Sequence, residues 1–313
     1  MSVVVPIRNE SASIATTLEA LLGQTHAPEE IIVVDGGSVD DTVERARSIS
    51  AQHPRVRVIE AGPATPGRGR NVGIGAASTR WVALTDAGRA DPDWLRELLL
   101  AAKGNAAARV VYGEYDPAIN SFFTRCAALT YVGARLQAFG GTRGPATLSM
   151  MIDREAWRRA GGFPDVRAGE DLLFFDRLAS AGIPAVWAPA ARVRWDLQPS
   201  FATTFRRFNL YSFHNVRAGL AHRWHYGTAR IYLVLAVFGL LAALLDARWW
   251  LAFPAVLAAR AMKAIWQRRN DAPFPWNPAT IAGVMAIMLV VDAATFTGWL
   301  RALRAQPASS RER

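Results

Sequence analysis

Three acidic positions stand where the chain has the residue types for chemistry. Asp35 follows the apolar run Ile31-Ile32-Val33-Val34, Asp86 follows Trp81-Val82-Ala83-Leu84-Thr85, and Glu170-Asp171 follow a glycine-rich turn. A carboxylate can accept hydrogen bonds from hydroxyls and amides, hold a hard cation through its oxygens, or take a proton from an attacking hydroxyl. The first two runs read as buried strands. In an open α/β sheet, ligands bind in the crevice at the carboxyl ends of the strands. A strand end is also a loop, where Asp serves turn chemistry alone. The recurrence, with Gly67-Arg68-Gly69-Arg70 between the acidic sites, gives the set its weight.

The elements that must position these residues alternate. Residues 2–7, 31–34, 56–59, 81–84 and 110–112 read as strands, and 11–22, 40–49, 70–77 and 92–102 as helices. That rhythm implies βαβ units and a mostly parallel sheet. Beyond residue 115 the expectation is a long helical stretch over 119–139, a glycine-rich loop at 140–145, a strand at 147–152 and a helix at 154–160. A helix at 170–181 and a short strand at 184–187 follow.

The C-terminal third differs in kind. Of 313 residues, the first 200 carry 22 basic and 22 acidic side chains, whereas 201–313 carry 14 and 4, so the whole net charge of +10 lies there. It accompanies three apolar runs at 231–245, 249–259 and 281–300. Basic charge beside apolar runs points to an anionic membrane surface. A nucleic-acid binder would show a basic face with interleaved aromatics or a known reading module, and neither occurs. A spanning helix needs about 20 apolar residues, so two or three transmembrane or interfacial helices are expected. Trp249, Trp250, Trp266, Trp276 and Trp299 suit an interfacial belt. Three spans place Lys263 inside and Arg301, Arg304, Arg311 and Arg313 outside; two spans reverse both, so the positive-inside rule leaves the number open. The expected division is a catalytic domain at 1–200, an amphipathic basic linker at 201–227, membrane helices at 228–302 and a basic tail at 303–313. One cysteine, Cys126, excludes an internal disulfide. No basic-then-apolar leader precedes the first strand, so the N-terminal region is expected on the cytoplasmic side. His214, His222 and His225 read as interface or loop residues, without metal-site spacing.

The motifs together resemble glycosyltransferase family 2. They are Val4-Val5-Pro6-Ile7-Arg8-Asn9-Glu10, Ile32-Val33-Val34-Asp35-Gly36-Gly37-Ser38-Val39-Asp40-Asp41-Thr42 and Gly67-Arg68-Gly69-Arg70-Asn71-Val72-Gly73. Thr85-Asp86-Ala87-Gly88 with Pro92-Asp93-Trp94-Leu95, and Gly161-Gly162-Phe163 with Gly169-Glu170-Asp171, complete the set. The resemblance covers roughly residues 2–215 and implies a GT-A fold, a nucleotide-sugar donor and inversion at the anomeric carbon.

The resemblance also implies roles. Pro6, Arg8, Glu10 and Asp35 would bind the donor nucleoside. Arg70 and Asn71, read as opening a helix after two glycines, would bind the donor where a helix start and a guanidinium fork favour anions. Asp171 would be the base, and Glu170 would orient it or hold the acceptor. The family's Asp-x-Asp, which holds Mg2+ or Mn2+ on the diphosphate, is here Asp86-Ala87-Gly88. Asp86 alone holding the cation is the preferred account, because Mg2+ sites often use one or two protein carboxylates. Asp91 swinging in, or Arg89 acting in place of the cation, are the alternatives. Arg207 matches the arginine of the Gln-x-x-Arg-Trp of processive members and would bind the donor diphosphate or, equally, serve as a membrane-surface basic residue; the Gln and Trp are absent. The expected activity is sugar transfer from the donor to a membrane-associated, lipid-linked glycan acceptor at the plasma membrane. A polyprenyl-phosphate sugar synthase and a catalytically inactive nucleotide-sugar-binding scaffold are the competing readings.

Overall fold

The computed structural model describes residues 1–86 and 88–305. Elements in chain order are β1 (Ser2–Ile7), α1 (Ile14–Leu22), β2 (Glu30–Asp35), α2 (Thr42–Gln52), β3 (Val56–Glu60), α3 (Pro66–Ala76), β4 (Trp81–Leu84) and β5 (Arg89–Ala90). Next come α4 (Trp94–Gly104), β6 (Val110–Ala118), α5 (Phe122–Tyr131), β7 (Met150–Asp153), α6 (Arg154–Arg159), α7 (Glu170–Ser180) and β8 (Ala185–Asp196). The helices α8 (Phe201–Arg217), α9 (Ala221–Leu244), α10 (Ala252–Arg268) and α11 (Pro278–Arg304) complete the described chain. The expected tail at 303–313 lies outside the described residues from 306 onward, Arg311 and Arg313 included.

The chain divides into two compact units. One is Met1–Asp116 with Arg135–Asp196; the other is Pro117–Ala134 with the chain from Leu197 onward. A cut at residue 200 therefore misses an excursion, because 117–134 belongs with the later helices.

The first unit is built on an eight-stranded sheet ordered β3-β2-β1-β4-β7-β6-β8-β5. The strands β3, β2, β1 and β4 run parallel. The ladders β4–β7, β6–β7 and β5–β8 are antiparallel. The sheet is thus mixed rather than mostly parallel. The βαβ rhythm that requires parallel crossovers stops at β4, and β7 then inserts antiparallel between β4 and β6. Strand alternation divides the core. Val3, Val5 and Ile7 of β1 face a cluster with α1 and α4, whereas Val4 faces one with Ile74 of α3 and Phe174 of α7. This two-sided burial is why β1 and β2 read as unbroken apolar runs.

Two elements differ in extent from the sequence reading. The helix expected over 119–139 is only α5, which Ser121 starts as a capping box with Thr124 and which ends at an extended Val132 before Gly133. The short strand expected at 184–187 is the 12-residue β8.

The second unit is helical. Its helices meet through small and polar side chains. Ser212 of α8 donates to Thr295 O of α11 at 2.7 Å and sits 2.8 Å from His225 Nε2 of α9. A Cβ on Gly298 would lie 2.5 Å from Asn209 O, so only glycine lets α8 and α11 approach this closely. His225 is therefore a buried helix-packing residue on α9, not a loop residue. Asp292 of α11 accepts from Arg260 of α10 at 2.7 and 3.2 Å and from the Tyr232 hydroxyl of α9 at 3.0 Å. Among the described residues two helices, α9 and α11, are long and apolar enough to cross a membrane. The middle helix has 17 residues and carries Arg260 and Lys263. Trp249, Trp250, Trp266 and Trp276 are exposed, whereas Trp299 packs on His225 at 5.3 Å.

Candidate active site

The site is best built outward from Arg70. The sequence reading has Arg70 open a helix, but α3 begins four residues earlier. Thr65 accepts from Arg68 N at 3.2 Å and Pro66 takes the first turn. Arg70 therefore lies in the second turn, away from the helix start, and is only 4% exposed. Its Nη2 donates to Asp86 Oδ1 at 2.8 Å, and its Nη1 donates to Glu170 Oε1 at 2.8 Å. Its Cζ lies 5.6 Å from the Phe163 ring centre. One buried guanidinium thus joins the end of β4 to the start of α7, across 100 residues of sequence in the second case. Its Nε is buried without a hydrogen-bond partner.

The electrostatics follow from burial. Desolvation works to lower the Arg70 pKa, but the charges of Asp86 and Glu170 outweigh it and hold the guanidinium above its already high ordinary value. Glu170 is buried, and desolvation pushes its carboxyl above the usual range, with Arg70 opposing. Asp171 differs from its neighbour. It is partly exposed, and Oδ1 accepts from Leu172 N at 2.8 Å. Gly169 precedes the pair at φ +80°, a conformation that favours glycine and turns the chain sharply into α7.

The other expected donor residues differ in how far their side chains are engaged within the fold. Asp35 is 3% exposed, and its carboxylate accepts from Gly37 N at 2.9 Å, Ser38 N at 3.1 Å and the Ser38 hydroxyl at 2.5 Å. It orders the loop after β2 through the turn chemistry open to any strand-end Asp. Asn71 is likewise engaged. Its Nδ2 donates to Phe163 O at 2.8 Å, and its Oδ1 accepts from Phe163 N at 2.9 Å and Trp157 Nε1 at 3.0 Å. Asn71 pins the Gly161-Gly162-Phe163 turn, which leaves one Nδ2 hydrogen for a donor contact. Pro6 lies in β1 opposite Val34, and Arg8 is exposed just beyond. Glu10 accepts from Ser13 Oγ at 2.6 Å. Asn9, between them, adopts φ +57° and accepts from Val39 N at 2.9 Å, tying this turn to the loop after β2. Arg207 belongs to the second unit, where its Nε donates to the Tyr211 hydroxyl at 2.8 Å.

Sequence reasoning gave no packing role to three contributors. Phe163 forms one wall beside Arg70. Trp157 completes the Asn71 pin. Gly67 faces the 163–165 turn, and a Cβ there would lie 2.5 Å from Pro164 O. The glycines of Gly67-x-Gly69 were the available signal, because they mark close backbone approach.

A divalent cation has a limited donor set. Among the described residues no group of three or more His, Cys, Asp or Glu could hold one. Asp86 Oδ1 is engaged by Arg70, whereas Oδ2 has no partner among the described residues. Asp91 is directed to Arg194, whose Nε is 3.9 Å away. Asp86 fits a one-carboxylate site whose remaining ligands would come from a bound diphosphate and water.

Comparison with known proteins agrees with this architecture. The sequence profile of Glycosyl transferase family 2 matches residues 2–150. The uncharacterized glycosyltransferase YibD of Escherichia coli K12 is 36% identical over 87 residues, 28% of this chain and 25% of that protein. The succinoglycan biosynthesis protein ExoO of Rhizobium meliloti is 36% identical over 115 residues, 36% of this chain and 32% of that protein. The chain thus spans about a quarter to a third of the length of these relatives. The mannosyltransferase PcManGT of Pyrobaculum calidifontis, solved in complex with GDP-Man and Mn2+, superposes with a TM-score of 0.59 at 19% identity, over 97% of this chain and 87% of that one. That likeness establishes the fold. Residues 2–150 therefore match Glycosyl transferase family 2, and the chain has a GT-A-like α/β fold.

Proposed function

We propose that the protein is an inverting glycosyltransferase that moves a hexosyl or related sugar from a nucleoside diphosphate to a membrane-associated, lipid-linked glycan acceptor. The observation that carries this reading is the buried Arg70 fork, which holds Asp86 and Glu170 together and leaves Asp171 accessible beside them. Asp171 takes the proton of the acceptor hydroxyl. The new C–O bond forms at the anomeric carbon as the bond to the diphosphate breaks on the opposite face. Glu170, locked by Arg70, fixes the start of α7 and hence the base. Mg2+ or Mn2+, when bound, supplies positive charge to the leaving diphosphate, and Asp86 is the residue that would hold it.

The acceptor reading rests on the second unit. Leu233, Val234, Val237, Leu240 and Leu244 of α9 are exposed apolar side chains suited to lipid. The same helices support a reading in which the enzyme works at the plasma membrane with its catalytic unit on the cytoplasmic side. Asp171→Asn tests the mechanism. It should retain nucleotide-sugar binding and lose transfer by about 10²–10⁴-fold; turnover at the wild-type rate would overturn the assignment. A polyprenyl-phosphate sugar synthase differs only in acceptor. An inactive scaffold is favoured only by Gly88. Incubating the protein with a panel of nucleotide sugars and membrane lipid extract separates all three by product.

A further inference from the structure

Two arginines lie directly opposite each other immediately after Asp86. The two-residue strand β5 pairs with β8 so that Arg89 faces Arg194 and Ala90 faces Val193. Ala90 and Val193 are buried, so the alternation of strand side chains sends both guanidiniums to the outer face. Arg194 is 65% exposed, and its nearest carboxylate oxygen, on Asp91, is 3.9 Å from Nε. Arg89 is exposed, with no hydrogen bond or ion pair among the described residues. Arg192, two residues earlier on the same face of β8, instead reaches Asp116 at 3.4 Å.

Like charges directly across a ladder repel. Here the repulsion sits on the shortest strand in the sheet. Between the pair and Asp86 lies Gly88. A Cβ at Gly88 would stand 3.0 Å from Arg194 O and 3.9 Å from Asp86 O, so β8 passes where the family's second metal carboxylate would begin. The fold has replaced an acidic position with the close approach of a strand bearing cations.

We propose that Arg89 and Arg194 form a phosphoryl-anion site beside Asp86, taking either the diphosphate of the donor or the phosphate of a lipid-linked acceptor. The two forks can share the non-bridging oxygens of one phosphoryl group, and that anion removes the cross-strand repulsion. This inference rests on the glycosyltransferase reading above, but its test separates the two.

The test is binding by the full-length protein in detergent. UDP, GDP and dTDP are each compared with their monophosphates, and farnesyl phosphate with farnesol, for wild type and Arg89→Gln/Arg194→Gln. In a donor site the double variant loses about tenfold or more of the diphosphate-over-monophosphate preference. In an acceptor site it keeps that preference and loses farnesyl phosphate by a similar factor. Arg89→Lys/Arg194→Lys should recover part of either loss, and an unchanged melting temperature shows that β5 still pairs. Unchanged binding of every phosphate probe overturns the proposal. Wild-type protein that binds no nucleotide at all instead overturns the donor reading, and the farnesyl phosphate arm still decides the arginine pair.

Discussion

Arg70 concentrates the physics of the site in one side chain. Lysine is not equivalent, because its three donors radiate from one nitrogen, whereas Nη1 and Nη2 of Arg70 reach carboxylates on separate elements. Arg70→Met leaves Glu170 buried without its cation. The expected loss is about 3–5 kcal/mol of stability, read by urea denaturation, with transfer abolished. Glu170 adds a pH signature. Its folded pKa is raised by burial against an ordinary 4.5. Its contribution to stability is therefore full below about pH 4.5 and is lost as pH rises through the folded value. Glu170→Gln should remove this segment, so the melting temperature of the wild type falls relative to the variant from pH 4 to pH 8. The residue scale also marks a limit of the sequence. Asp35 and Asn71 carry the right chemistry in the right motif, yet much of their hydrogen-bonding capacity is engaged within the fold. A motif records the residue type, whereas hydrogen-bond partners 92 positions away, as for Asn71 and Phe163, decide whether that chemistry is free.

At the scale of elements, legibility followed burial and length. The strands β1, β2 and β4 were readable because both faces are buried and apolar. The strand β5 was not, because two residues have no period. Most of β8 was not, because Pro189, Arg192 and Arg194 interrupt the apolar pattern and the strand is set by its partners. The start of α3 was hidden by Gly67 and Gly69, which lower helix propensity but are required for packing against the 163–165 turn and Pro6. These elements also predict the behaviour of the metal site. Gly88→Asp, which would restore the family's Asp-x-Asp, should not tighten Mn2+ binding in the presence of UDP. The new Cβ would press on Arg194 O, and its carboxylate would meet two arginines before any cation. Mn2+ titration followed by electron paramagnetic resonance checks this outcome; a gain in affinity would show that β8 yields easily.

At the scale of the molecule, the balance of charge and apolar runs separated a neutral α/β part from a basic helical part, and the division into two units follows the same contrast. Leu240, exposed on α9, offers a direct membrane test. Leu240→Arg places a charge within an apolar helix, at a cost of about 2.5–3.5 kcal/mol if that position lies near the bilayer centre. The variant should shift toward the soluble fraction on alkaline extraction, whereas the wild type stays with the membrane. The sequence did not reveal that residues 117–134 belong with the later helices, because nothing local to α5 records its partners. That excursion bears on how the protein is made. Cys126 of α5 meets Thr280 of α11, 154 residues further along. At about 5–20 residues per second, α5 leaves the ribosome roughly 8–30 s before α11 exists. Throughout that interval its apolar side must be sheltered by something other than its final neighbours. A polypeptide released at residue 200, where composition changes, would keep that side bare permanently, so synthesis must run through α11 before the first half of the chain has all of its own structure.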